Sequence, residues 1–222
     1  MAAQIKAWWW RPRKRKNFGD EISALMLKKM GYKVKRVALE KADLVLGGTI
    51  MDTVDKRAKD GVAIWGAGVA WEHEAENRFN ILAMRGKLSA NTYGVDVPLG
   101  DPGLLTSLFY ARDVPKYDIG VVRHYVDKEE YPWADIVIDA TEPVETVIRK
   151  ISQCRTICSS SLHGVIVANS FGIPAMRIYN EEVISGNVKW NDYQTALTQG
   201  IAQVQVQLVR AIEDNDESFS SR

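Results

Sequence analysis

Apolar positions along the chain fall in short runs separated by stretches with helical spacing. The pattern predicts strands over Gln4 to Trp10, Lys33 to Leu39, Asp43 to Leu46, Val62 to Trp65 and Asn80 to Met84, with a helix from Asp20 to Met30 ended by Gly31. A short helix is expected over Leu88 to Asn91. After Gly100 to Lys116, a segment with a turn at each end and a helical middle, the alternation restarts. It gives strands over Asp118 to Arg123, Asp135 to Ile138, Thr156 to Ser159 and Ala175 to Tyr179, and helices over Pro143 to Ser152 and Leu162 to Phe171. Apolar residues at 201, 204, 208, 209 and 212 predict a further helix, and Glu213 to Arg222 reads as a polar, frayed end.

Strands alternating with helices point to an α/β fold of parallel strands and crossover helices. The break at 101–117 predicts a linker between two Rossmann-like domains, residues 1–100 and 118–222, with small open sheets facing across a cleft. One sheet of about ten strands is the alternative. In either case ligands are expected beyond the carboxyl ends of the strands.

Composition narrows the function. The chain has 222 residues, 46% hydrophobic and 26% charged, as in globular proteins, and its 29 basic against 28 acidic residues exclude a broadly basic nucleic-acid surface. Any anion site must be local. Cys154 and Cys158 have no second Cys or His cluster to complete a zinc spacing, so both are read as reduced and buried, and no metal is expected. The apolar run Ala7 to Trp10 is too short for a signal peptide, and no run reaches the roughly 20 residues of a membrane span, so a cytoplasmic protein is expected. The one basic cluster, Arg11 to Lys16, could draw in an anionic substrate or touch the inner face of a membrane.

The candidate chemistry sits at strand ends. Ser160, Ser161, Leu162, His163 and Gly164 form a strand-to-helix turn, which sets an imidazole beside backbone N–H donors that favour a phosphate or carboxylate. Arg85, with its planar fork, and Arg123 with His124 end other strands. Asn17 can cap the first helix, Gly19 lets a ligand approach, and Asp20 can orient a hydroxyl or act as base. Gly47 and Gly48, and Gly66 and Gly68, allow tight turns at a cleft floor. Trp8, Trp9, Trp10, Trp71 and Trp190 are candidates for stacking on a sugar ring or for packing.

Taken in order, Asn17-Phe18-Gly19-Asp20-Glu21, Leu46-Gly47-Gly48, Trp65-Gly66-Ala67-Gly68, Arg85-Gly86-Lys87-Leu88-Ser89-Ala90, Gly100-Asp101-Pro102 and Ser160-Ser161-Leu162-His163-Gly164 with Gly172-Ile173-Pro174 resemble the polysaccharide pyruvyl transferases. The resemblance spans about residues 8 to 179. It implies two Rossmann-like halves arranged as in GT-B glycosyltransferases, and transfer of the pyruvyl group of phosphoenolpyruvate onto sugar hydroxyls to form a pyruvate ketal. No cofactor beyond that donor substrate is implied, and the acceptor is a glycan or lipid-linked saccharide. On this reading His163 is the general acid and donor contact, and Asp20 or His124 is the base. Arg85 and Arg123 neutralise the donor's charges. The chain departs from the family in being shorter than typical members and in carrying Ser161 where many have an Arg. A nucleotide-sugar glycosyltransferase using Glu181 or Glu182 on the ribose, and a catalytically silent glycan-binding relative, are the alternatives.

Overall fold

The computed structural model describes residues 4–11, 16–183 and 186–220. Contacts divide the chain into two compact units. The first holds residues through Trp10, Ser23–Pro102 and Asn187 onward, and the second holds Arg11–Ile22 with Gly103–Gly186.

The first unit is built on an all-parallel sheet of β1 (Gln4–Trp8), β2 (Lys33–Arg36), β3 (Leu44–Val45), β4 (Gly48–Thr49), β5 (Ala63–Gly68) and β6 (Asn80–Met84). Its order is β2-β1-β3-β5-β4, with β6 also paired to β5. Strands β3 and β4 pair with successive parts of β5, Leu44 opposite Ala63 and Gly48 opposite Ala67. Helices α1 (Phe18–Lys29), α2 (Met51–Arg57) and α3 (Lys87–Thr92) follow β1, β4 and β6. The residues of α1 to Ile22 cluster with the second unit and those from Ser23 with the first.

In the second unit, α4 (Thr106–Phe109) leads into β7 (Tyr117–Arg123), β8 (Ile136–Asp139), α5 (Val144–Ser152), β9 (Cys154–Ser159), α6 (Leu162–Ser170) and β10 (Ala175–Arg177). The sheet is again parallel, in the order β10-β9-β7-β8. After β8 the chain crosses back over β7 to lay down β9. The strand order therefore reverses between β7 and β9, and the crevice beyond their carboxyl ends is where open α/β sheets bind ligands. Helix α5 shows the usual one-sided pattern, burying Val147, Ile148 and Ile151 while Glu145 and Lys150 face outward. Helix α6 is apolar nearly all round, and Leu162, Val165, Ile166, Val167 and Ala168 are all buried.

Nine of the ten strands among the described residues follow the expected alternation; β4, at a Gly-Gly expected as a turn, and α2 were not expected. Strand β2 stops at Arg36, with a 3-10 turn at Leu39–Lys41 burying Leu39. Strand β5 runs on through Gly66 to Gly68 with irregular register against β6, so these glycines lie within a strand. Helix α7 (Val188–Leu197) has mixed polarity that gave no periodic signal, because it buries polar Lys189 and Asp192 beside Trp190 and Tyr193. The expected division at 101–117 differs from the contacts. Helices α7 and α8 (Ile201–Glu213) pack in the first unit, where the Trp65 indole N–H donates to the Leu208 carbonyl at 3.0 Å. The expected frayed end instead folds as α9 (Asp216–Ser220) against β1, with Phe219 buried.

Both cysteines are buried thiols. Burial pushes the Cys154 thiol up to about 11 and raises that of Cys158. Among the described residues no helix is long and apolar enough to cross a membrane.

Glycine positions in the first sheet make packing testable. Gly66 has φ +73°, and a Cβ there would collide with Pro102 Cδ, whereas Gly31 (φ +98°) has nothing within 4 Å of a Cβ. Gly66→Ala should therefore cost about 2–4 kcal/mol from backbone strain plus overpacking, and Gly31→Ala about 1–2 kcal/mol from strain alone. Urea unfolding midpoints will separate the two, and equal losses would show that Pro102 moves aside.

Candidate functional site

The carboxyl edge of the second sheet gathers most of the expected residues. Arg123 ends β7 and His124 follows it; Ser160 to Gly164 carry the chain from β9 into α6. Asn17, Gly19 and Asp20 open α1 within the same unit. The Asn17 turn was expected on the opposite domain from His163. It lies instead against it, because a Cβ on Gly19 would overlap the His163 imidazole, 2.6 Å from Cγ. Phe18 meets the same ring edge-on at 6.3 Å between centroids. Gly19 is thus glycine so that the imidazole can lie on the first turn of α1.

Local hydrogen bonds explain why these turns hold their shape. The Gly19 N–H donates to Asn17 Oδ1 at 3.2 Å, the expected cap, and Asn17 Nδ2 donates to Asp20 Oδ2 at 3.0 Å. The single Ser159 hydroxyl proton is shared between the Val122 carbonyl at 2.9 Å and the Ser161 carbonyl at 2.7 Å, and Oγ accepts the Ser161 N–H at 3.0 Å. One hydroxyl therefore ties β7, β9 and the start of α6 together. A Cβ on Gly164 would stand 2.7 Å from Val122 Cβ, so α6 approaches β7 only with glycine there.

Two expectations change at this edge. Several backbone donors at this edge are used within the protein: Phe18 N–H donates to Ala140, Asp20 N–H to Asn17, Ser160 N–H to Val122 and Gly164 N–H to Ser161, all onto carbonyls. Gly164 is a packing position rather than an anion contact. Leu162 is buried in the core, and Ser161, 2% exposed, is enclosed at the head of α6. Charge at the edge comes instead from side chains. A cavity of about 400 Å³ is lined by Lys16, Arg123, His124, Tyr125, Asp139 and Thr141. The Arg123 guanidinium stands 3.8 Å from Asp139 Oδ2 with both groups partly exposed. Burial raises the Asp139 carboxyl, but the Thr141 N–H and hydroxyl and the charges of Arg123 and Lys150 outweigh this and hold it below the usual carboxylate range.

Asp127 is a contributor that sequence reasoning missed. It is buried, and its Oδ2 accepts from the Tyr131 hydroxyl at 2.7 Å and the Ser160 hydroxyl at 2.5 Å, while Oδ1 takes the Glu129 N–H at 2.9 Å. Ser160 Oγ in turn accepts the His124 N–H at 3.0 Å. This carboxylate fixes the loop after β7 to the turn after β9 and so positions His124. Burial, then the Asp127 hydrogen bond, raises the Tyr131 phenol well above its ordinary value and keeps it a donor. The Asp-x3-Tyr spacing was present in the sequence but carries no specific signal.

Arg85 is corrected outright. It ends β6 as expected, but it is fully buried in the first unit, with Nε 2.9 Å from Asp192 Oδ2, Nη1 2.7 Å from Thr49 Oγ1 and Nη2 2.9 Å from the Val69 carbonyl. Asp192 also accepts the Ser89 N–H at 2.9 Å and the Ser89 hydroxyl at 2.5 Å, so it caps α3 from α7. Gly68 makes room for the guanidinium and Gly86 for the Asp192 backbone; Gly47 and Gly66 make room for Pro102. Gly48 (φ +136°) carries the turn into β4. These glycines pack protein against protein, and none opens a cleft floor. Of the basic cluster, Arg11 pairs with Glu21 at 3.1 Å and Lys16 lines the cavity, while 12–15, with the expected membrane contact, lie outside the described residues. Trp8, Trp9 and Trp190 are core residues; Trp10 and Trp71 are exposed.

A parallel α/β sheet with a histidine, two cationic side chains and a capped helix start at its switch point has its polar groups where open α/β sheets bind ligands. The polysaccharide pyruvyl transferase family model matches residues 3–182, and the chain belongs to that family. It is 26% identical over 200 residues to the succinoglycan biosynthesis protein ExoV of Rhizobium meliloti (strain 1021), covering 82% of this chain and 61% of that one. An uncharacterized protein of Acanthamoeba polyphaga mimivirus is 34% identical over 111 residues, covering 44% and 39%. The chain thus spans less than two thirds of the length of either relative. A crystal structure of a functionally uncharacterized protein from Klebsiella pneumoniae subsp. pneumoniae NTUH-K2044 superposes with a TM-score of 0.51 at 11% identity, covering 93% of this chain and 91% of that one, which shows a shared fold.

The buried pair gives a direct test. Asp192→Asn keeps the shape but leaves the Arg85 charge uncompensated, and should cost about 3–5 kcal/mol in chemical denaturation. A loss under about 1 kcal/mol would mean that the guanidinium reaches solvent.

Proposed function

We propose that the protein transfers the pyruvyl group of phosphoenolpyruvate to two hydroxyls of a glycan, forming a pyruvate ketal and releasing phosphate. The observation that carries this reading is the grouping of Arg123, Lys16, His124, His163 and the Asn17 to Asp20 turn at one sheet edge, in a chain of the polysaccharide pyruvyl transferase family. The donor carries a carboxylate and a phosphate on one carbon. Arg123, with its fork, suits the carboxylate, and Lys16, a compact point charge, suits the phosphate.

His163, as imidazolium, gives a proton to the methylene carbon, which becomes the methyl group and leaves an oxocarbenium-like centre. A sugar hydroxyl adds to that centre and its proton passes to a base, His124 or Asp20. The carbon–oxygen bond to phosphate then breaks, the phosphate leaving with one proton, and a second sugar hydroxyl adds to the carbon to close the ketal. Two hydroxyl protons are released in all; one replaces the proton given to the methyl group and the other leaves with the phosphate. With Ser161 in place of an Arg and enclosed, Arg123 takes the anion-holding role. The donor is assigned to the second unit, which holds all of these residues.

The test is phosphate release from phosphoenolpyruvate with a panel of galactosyl, glucosyl and mannosyl acceptors. His163→Ala should lower acceptor-dependent release at least about 100-fold. Arg123→Gln should raise the KM for phosphoenolpyruvate about 10- to 100-fold, the loss of a charge-assisted contact. Among the described residues no cluster is arranged to hold a metal ion, and turnover should persist in EDTA. A protein that binds no phosphoenolpyruvate at millimolar concentration would overturn the reading.

A further inference from the structure

The first unit has an open cavity of its own beside the loop that joins β5 to β6. The chain leaves β5 at Gly68 and returns at Asn80, the beginning of β6, and this loop is firmly held. The Val69 N–H donates to Ser89 Oγ, the Ala70 N–H to Asp52 Oδ2 and the Ala75 N–H to the Thr92 carbonyl, each at 3.1 Å. Arg78 donates to the Ala58 and Asp55 carbonyls at 2.9 and 2.7 Å. Yet Trp71, in the middle of the loop, is 56% exposed. A well-anchored loop that holds an indole out in water presents a flat apolar surface at fixed position, which for a core residue has no purpose.

Beside that indole is a cavity of about 510 Å³, within the range of small-ligand sites, lined by Asp52, Lys56, His73, Glu74 and Arg78 among others. His73 Nδ1 lies 3.0 Å from the Trp71 carbonyl, and Nε2 faces Asp55 at 3.7 Å. Asp55 is itself held by the Tyr93 hydroxyl at 2.8 Å. The histidine therefore braces the Trp71 backbone, while the side chains of Glu74 and Lys56 are exposed. Carboxylates in the cavity wall outnumber Lys56 and Arg78, which disfavours an anion, and no group there has the arrangement of a metal site among the described residues. A neutral ligand with one apolar face and many hydroxyls fits both the indole and the mixed donors and acceptors.

We propose that this cavity is a saccharide-binding site, with Trp71 stacked on the apolar face of a pyranose ring and Glu74 and Asp52 accepting its hydroxyls. The proposal rests on the glycan part of the function proposed above. It is tested by titrating the full chain with lactose, cellobiose and mannobiose, followed by saturation-transfer NMR, in parallel with phosphoenolpyruvate binding and phosphate release. Trp71→Ala should weaken the best-bound disaccharide at least about tenfold, with Trp71→Phe intermediate and the thermal midpoint and phosphoenolpyruvate affinity retained. Glu74→Gln should weaken it about threefold or more, the loss of one hydrogen bond. Unchanged disaccharide affinity in Trp71→Ala, or no disaccharide binding by the native protein, overturns the site even if phosphate is released. Binding that depends on Trp71 without any phosphate release supports the site and overturns the transferase reading instead.

Discussion

The Ser159 hydroxyl is the joint on which the strand ends of the second unit depend. It bonds the Val122 carbonyl of β7 and both the carbonyl and N–H of Ser161, so it joins two strands and a helix start with one side chain. These strands are neighbours only because the chain crosses from β8 back over β7 before making β9. That reversal sets a crevice beyond the strand ends, and the Ser159 contacts fix the start of α6 beside β7 there. Gly164 completes the joint, since any larger residue would push α6 away from Val122.

A consequence is that backbone and side chains divide the work. Buried main-chain donors must be paired, and at this edge those of Phe18, Gly19, Asp20, Ser160, Ser161 and Gly164 are paired within the protein, where they shape the turns. The charged groups that line the cavity are side chains, Arg123 beside Asp139 and Lys16, with Asp127 fixing the loop that carries His124. A rigid frame with the reacting groups on side chains suits chemistry that needs several groups held in place at once.

The first unit shows the same economy of motif with a different result. Leu46-Gly47-Gly48, Trp65-Gly66-Ala67-Gly68, Arg85-Gly86 and Gly100-Asp101-Pro102 read as ligand-facing turns when met one by one. Folded, they are a single packing unit: Pro102 sits over Gly47 and Gly66, and Arg85 over Gly68, with Asp192 against Gly86. A buried charge is tolerated only when it is paired and its remaining donors are satisfied, and Asp192, Thr49 and Val69 supply this for Arg85. Family motifs at strand ends can therefore mark the frame of a site as readily as its contacts.

From the sequence alone, periodicity set the strands and most helices, strand-to-helix alternation set the parallel α/β class, and the ordered strand-end motifs set the family. These are local properties, encoded in the spacing of apolar residues and in turn chemistry. Tertiary structure alone decided which residues share a site. It moved the Asn17 turn into the unit of His163, buried Arg85 against an aspartate 107 positions away, and placed the C-terminal helices on the first sheet. Such pairings join residues far apart in the chain through partners that only folding selects. Asp127 and Asp192 show the reason most plainly: each is an ordinary aspartate in sequence, and what distinguishes it is the set of donors that the fold brings to its carboxylate.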